Sequence, residues 1–211
     1  MIRAGIGVAV LFALASLAGC GSSGPIKLDR FFRLDPAALE GPAGAPVPAI
    51  LMVNDLAARG FLGSRAIPFR TREDPLVAQR YDDLLWEEPP ARALARALVT
   101  ALRAARVFAF VVVAAERARA DYLLGGELER FEHLPTDQPP RVAATFHLAL
   151  VRAEDRSVVA TWEYSGKESV DADTPDAMIA AFNRLSARLA AAVVRDLQSA
   201  KPRLHGSARR P

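Results

Sequence analysis

Hydrophobic positions change their spacing along the chain, and the changes mark its elements. Ile26 to Leu34 alternates loosely and predicts a first strand, and Ala49 to Leu56 predicts a buried one. Gly60-Phe61-Leu62-Gly63 reads as a loop holding two apolar side chains between glycines. Two short extended pieces follow, Arg65 to Arg70 and Leu76 to Tyr81. Leu94, Leu98 and Leu102 then recur at helical spacing, and Ala91, Ala95, Ala101 and Ala105 broaden the face. Pro89-Pro90 opens that helix, where missing N–H groups cost least. Val107 to Val113 is an unbroken β-branched and aromatic run, the pattern of a central strand covered on both faces. Tyr122, Leu124 and Leu128 share one face of the next strand, and Gly125-Gly126 predicts a bulge or a close backbone approach.

A hairpin is the clearest element. Val142, Ala144, Phe146, Leu148 and Leu150 alternate inward, Glu154-Asp155-Arg156-Ser157 turns, and Val158, Ala160, Trp162 and Tyr164 alternate on the return. Thr174-Pro175-Asp176 starts a second helix with an N-cap, a first-turn proline and an acid at the positive end of the dipole. Met178, Phe182, Leu185, Leu189, Val193 and Leu197 form its stripe. Pro36 to Pro48 and His133 to Pro140 read as loops, and no internal repeat is present. The expected class is α/β, a single domain with a mixed β-sheet and two long amphipathic helices packed on one face of it.

The N-terminus changes the picture of where this domain works. Arg3 precedes an apolar run from Ile6 to Leu17 that is shorter than the roughly 20 residues a bilayer-spanning helix needs. Leu17-Ala18-Gly19-Cys20 then places small residues directly before the only cysteine, which resembles a bacterial lipobox. The resemblance implies cleavage before Cys20 and acylation of its sulfur and new amino terminus by fatty chains such as palmitate. Two or more chains give stable anchoring where one does not. The alternative is a plain signal peptide with a cysteine at its cleavage site. On the lipobox reading residues 1–19 are a signal peptide, 20–25 a flexible tether containing Gly-Ser-Ser-Gly, 26–199 the folded domain and 200–211 a disordered basic tail with Arg203, Arg209 and Arg210.

Charge excludes little but shifts the balance. The net charge of +3 falls to +2 once Arg3 is removed. Arginines are interspersed with acids rather than gathered in the dense basic stripe of a nucleic-acid binder. Acylated Cys20 leaves no thiol for a disulfide or a metal.

The chain offers few groups for catalysis, and no cofactor or metal site is expected. Gly166-Lys167 fails as a phosphate loop, because Thr161 stands where the first glycine belongs and Glu168 where Ser or Thr belongs. No nucleophile elbow and no His-Glu-x-x-His are present. His147 falls opposite the Phe146 face, facing solvent or a helix. Asp82-Asp83 and Glu87-Glu88 flank Trp86 and read as turn and helix-start charge, with an acid–base pair as the sharper alternative. Binding is favoured over catalysis at three residues: Phe61, Leu62 and Trp86. The Phe61-Leu62 tip either meets a partner or lipid, or folds back on the core. Trp86 is either a binding hot spot or a staple between helix and sheet.

Taken in order, these segments resemble the ABC-type transport auxiliary lipoprotein family, its PqiC-like group. The lipobox at Cys20, the opening Phe31-Phe32-Arg33-Leu34, the run from Arg80-Tyr81 to Trp86-Glu87-Glu88-Pro89-Pro90, the Leu124–Phe131 strand with its Val142–Tyr164 hairpin, and the Ala-rich last helix carry the resemblance. One departure is Phe61-Leu62-Gly63-Ser64, where such proteins tend to have a Tyr-Leu-Asp-Arg-like turn. The resemblance implies a non-enzymatic periplasmic component of a phospholipid-handling system, with an MCE-domain protein, an ABC permease and an ATPase as partners. A homo-oligomer is compatible with it. Gly21 after Cys20 is not the Asp that retains lipoproteins in the inner membrane, so the implied location is the periplasmic face of the outer membrane. The alternatives are an assembly lipoprotein of the LptE kind bound to a β-barrel, a periplasmic hydrolase and a purely structural lipoprotein.

Overall fold

The structure, a computed structural model, describes residues 28–36 and 45–205. The apolar leader, Cys20, the tether, most of the Pro36 to Pro48 loop, Arg209 and Arg210 lie outside the described residues. The strands are β1 (Arg30–Phe32), β2 (Val47–Val53), β3 (Ala57–Ala58), β4 (Ala66–Phe69), β5 (Gln79–Trp86), β6 (Phe108–Val113), β7 (Tyr122–Leu134), β8 (Arg141–Arg152) and β9 (Val158–Ser169). The helices are α1 (Pro90–Ala104) and α2 (Pro175–His205).

β7 is the spine of one mixed sheet. On one side it pairs antiparallel with β8, which pairs antiparallel with β9. Along its other side it meets β2, β3 and β4 in turn, all parallel. β2 carries β6 beyond it, while β4 carries β5 and then β1, so the sheet forks. Both helices lie against it and against each other, and residues of both enter a single core.

Local chemistry explains the helices. Pro90 sits in the first turn of α1, and the buried Leu94, Leu98 and Leu102 face the sheet. In α2 the N–H of Ala177 donates to Thr174 Oγ1 at 3.2 Å, the N-cap bond expected of Thr174. Every residue of the predicted stripe from Met178 to Leu197 is buried. By length and apolarity α2 could cross a membrane, but here that apolarity faces a sheet.

The glycine pair in β7 has a resolved role. A methyl group on Gly126 would sit 1.8 Å from the His147 carbonyl oxygen, so β7 and β8 approach too closely there for any side chain. The bulge lies downstream, where Glu129 is an extra residue between the pairs Leu128↔Phe146 and Arg130↔Thr145. That insertion shifts the alternation, so Phe131 joins Leu128 on the helix side and reaches Phe182 of α2.

Four expectations are corrected. The Val107 to Val113 run is an edge strand with β2 as its only described partner, and its Phe110 is exposed; its apolarity reflects the helix on one side rather than cover on both. Asp82 and Asp83 do not lie in a turn, because β5 continues through them to Trp86. Val158 points to solvent, since the register slips between Leu150 and Val151 at the start of the return strand. Residues 200–205 are not a disordered tail but the end of α2, held by the buried Ala200 and Leu204.

The molecule has two ends. One gathers the 70–78 loop, the 135–140 turn and the start of α2: Arg72 N donates to Thr136 Oγ1 at 2.8 Å and Val170 N to Pro140 O at 2.8 Å. The other gathers the 153–157 turn, the start of β7 and the end of α2, where the Tyr122 hydroxyl donates to Leu204 O at 3.3 Å.

Candidate functional site

The three residues singled out for binding separate cleanly. Trp86 is 1% exposed, and its ring lies 5.6 Å from Phe131 and 5.3 Å from Phe182, centre to centre. It therefore cannot touch a partner; it joins β5, β7 and α2. Of the two readings of Trp86, the staple between helix and sheet holds and the binding one is corrected, because Phe131 of β7 and Phe182 of α2 cover its ring. Its Nε1 has no hydrogen-bond partner among the described residues, so it acts there by shape and apolar area.

Phe61 and Leu62 belong to a single 3-10 turn, Gly60–Gly63. Gly60 has φ +56°, which glycine adopts without strain. Ser64 braces the turn from below, its N–H donating to Phe61 O at 3.1 Å and its hydroxyl to the same oxygen at 2.8 Å. Leu62 is partly buried and packs on the core, whereas Phe61 is 37% exposed. The two alternatives read for this tip are thus divided between its two side chains.

The β6 edge is a second apolar surface, missed because its run looked fully covered. Phe110 stands 64% exposed on it. Arg103 Nε donates to Val111 O at 2.7 Å, and Glu116 Oε2 accepts from Val113 N at 3.0 Å. Those contacts, with the 3.0 Å Arg103–Glu116 ion pair, occupy backbone groups that an added strand would use. The Val113 N–H and Arg103 hold the Glu116 carboxyl below its ordinary pKa. A partner on this edge meets side chains, Phe110 first, rather than a free ladder.

The titratable residues do not converge. Glu87 pairs with Arg33 at 2.9 Å, Glu88 with Arg96, and Asp82 lies 4.0 Å from Arg80. His147 Nε2 is 3.1 Å from Glu129 on the solvent face. No cluster of His, Cys, Asp and Glu able to hold a metal occurs among the described residues.

Two polar features are buried without any signal in the sequence. Glu132 is bridged by Arg70 Nε at 2.8 Å and Arg130 Nε at 2.7 Å, which neutralise and cover a carboxylate on the sheet face opposite the helices. Next to it, His133 Nδ1 and the Tyr81 hydroxyl share a 2.7 Å hydrogen bond, beside a small cavity of about 110 Å³ that Asp173 also lines. Burial lowers the His133 pKa to about 4, against an opposing pull from Asp173, so the ring is neutral at pH 7. Burial raises Tyr81 to about 12, with Asp173 adding to it. The spacing of β7 carries a clue to this pair only if the Glu129 bulge is known.

The fold is a forked mixed sheet with two helices packed on it, and Phe61 and Phe110 are exposed at its surface. The family is settled by comparison: the model of the ABC-type transport auxiliary lipoprotein component family matches residues 32–194, and the chain belongs to that family. A crystal structure of protein XCC0632 from Xanthomonas campestris has the same fold, with a TM-score of 0.75 and 20% identity, over 84% of this chain and 100% of that one. A second crystal structure, of an uncharacterized protein, follows with a TM-score of 0.63 and 16% identity, over 81% of this chain and 99% of that one. No curated protein matches the chain. Membership makes this chain an auxiliary lipoprotein component of ABC-type transport, and the fold is the mixed sheet with two helices expected from the sequence.

Proposed function

We propose that the protein is a non-enzymatic periplasmic tether, acylated at Cys20, that docks an MCE-containing phospholipid transport system to the outer membrane. The family match over residues 32–194 carries this reading. The sequence before the domain supports it, because Leu17-Ala18-Gly19-Cys20 would leave a lipidated first residue with Gly21 next to it. The docking surface is apolar: Phe61 on its braced turn and Phe110 on the β6 edge are the exposed aromatics beyond the N-terminal strand. Energy comes from a separate ATPase, and the partners are the MCE protein and its permease.

The test is a mild-detergent pull-down of the full-length protein from its native envelope, with Cys20→Ala as control. Recovery of an MCE protein with permease and ATPase supports the proposal. Recovery of a β-barrel instead selects an assembly lipoprotein of the LptE kind, and recovery of the protein alone overturns both.

A further inference from the structure

The 70–78 loop ends in an apolar point. Leu76 is 93% exposed and Val77 is 50% exposed, and Leu28, at the entrance to β1, is 76% exposed. The point is braced rather than loose. Val77 N donates to Asp74 O at 3.1 Å, closing a turn in which Pro75 presets the backbone at the second position. Asp74 N donates to Thr71 Oγ1 at 3.4 Å, and Arg70 Nη1 to Pro75 O at 3.2 Å. Arg70 is itself held by the buried Glu132. Leu76 is thus presented to solvent by a built turn, at a conformational cost met on folding.

The first described residues lie at the same end. β1 runs parallel to β5 with Arg30 opposite Leu84, so Leu28 and Asp29 precede Arg30 on the side of Gln79, where the 70–78 loop joins. Arg30 also pairs with Asp176 in the first turn of α2, at that end of the molecule, at 3.2 Å. Cys20 stands eight residues before Leu28, a span of at most about 29 Å when fully extended. Acyl chains on Cys20 therefore keep the bilayer within reach of the Leu76 turn.

We propose that the Asp74–Val77 turn, together with Leu28, dips into the bilayer surface and fixes the orientation of the domain on its membrane. The inference rests on acylation at Cys20. A bilayer fits better than a protein partner, because one turn bearing two apolar side chains falls far short of the roughly 800 Å² per side of a stable protein interface. An anchored domain needs only orientation, which a small apolar contact supplies. The charges nearby, Glu73, Asp74, Asp173 and Asp176 with Arg72 and Arg30, do not add up to a basic patch, so the contact is apolar and high salt does not release it.

The experiment uses the full-length acylated protein in vesicles of phosphatidylethanolamine and phosphatidylglycerol. A spin label is placed at Leu76→Cys or, at the opposite end, at Val158→Cys; acylated Cys20 does not take the label. The expected result is a label at 76 several-fold more accessible to oxygen than to an aqueous nickel complex, relative to 158, and unchanged by high salt. Flotation that depends on Cys20 with a fully aqueous label at 76 overturns the tip alone. Failure of the protein to float with the vesicles overturns the anchor and the tip together.

Discussion

Trp86 and Phe61 look alike in the sequence, each an aromatic at a proline- or glycine-marked boundary, yet they end in opposite surroundings. Trp86 closes β5 beneath Phe131 and Phe182, while Phe61 stands on a one-turn helix and stays open to solvent on one side. The difference lies in what comes from far along the chain. Phe131 of β7 and Phe182 of α2 cover Trp86 to 1% exposure, whereas β4, β7 and α1 reach the turn that carries Phe61 but leave Phe61 itself 37% exposed. An aromatic residue at a boundary is a core staple or a docking point according to those distant neighbours.

Changes to the interior side of this comparison should be large. Trp86→Ala should destabilise the domain by about 3–5 kcal/mol, read from the urea midpoint. A loss under about 1 kcal/mol would mean that Trp86 is not the keystone described here. Trp86→Phe sharpens the point: because no hydrogen bond is lost at Nε1 and only the smaller ring's missing volume counts, it should cost about 1–3 kcal/mol, less than Trp86→Ala. Gly126→Ala forces a methyl group against the His147 carbonyl and should cost about 3 kcal/mol through separation of β7 from β8. A neutral Gly126→Ala would show that the two strands part easily.

The next effect depends on pH. The folded pKa of His133, about 4, lies below its unfolded value near 6.5, so the unfolded chain binds the extra proton in that window. Stability is complete above about pH 6.5 and falls as the pH drops toward 4. The loss should be about 2 kcal/mol, less than the full shift implies because the Tyr81–His133 pair is only partly buried. His133→Gln should flatten the stability–pH curve across that range, and an unchanged slope would place the titration elsewhere. Smallest in stability is Phe61→Ala, under about 0.5 kcal/mol, with a several-fold drop in the transport partner recovered by pull-down. A stability loss as large as that of Trp86→Ala would erase the distinction between the two aromatics.

Much of the fold was legible because local patterns and tertiary partners agree. Thr174-Pro175-Asp176 signals the start of α2 and the Thr174 hydroxyl caps it. The Val142–Leu150 alternation maps onto β8, with each of its five residues buried. The surface was read less well. Phe61 stood out through its flanking glycines, but Phe110 was hidden inside Val107 to Val113, a run that looks the same at a sheet's centre as at its edge. The Tyr81–His133 pair was invisible, since it is the extra residue at Glu129 that brings His133 onto the helix side of β7 with Phe131.

By itself the sequence determined the class of the fold, its two helices with their caps and stripes, its long hairpin and, through the order of its motifs, the family. Those features depend on neighbours within a few residues, where periodicity and capping act directly. Only the tertiary structure decided which strands lie at edges, which of Phe61, Leu62 and Trp86 meets solvent, and how far α2 runs. Each of those depends on strand pairing between distant segments, and pairing is set by which faces must be buried together rather than by any residue alone.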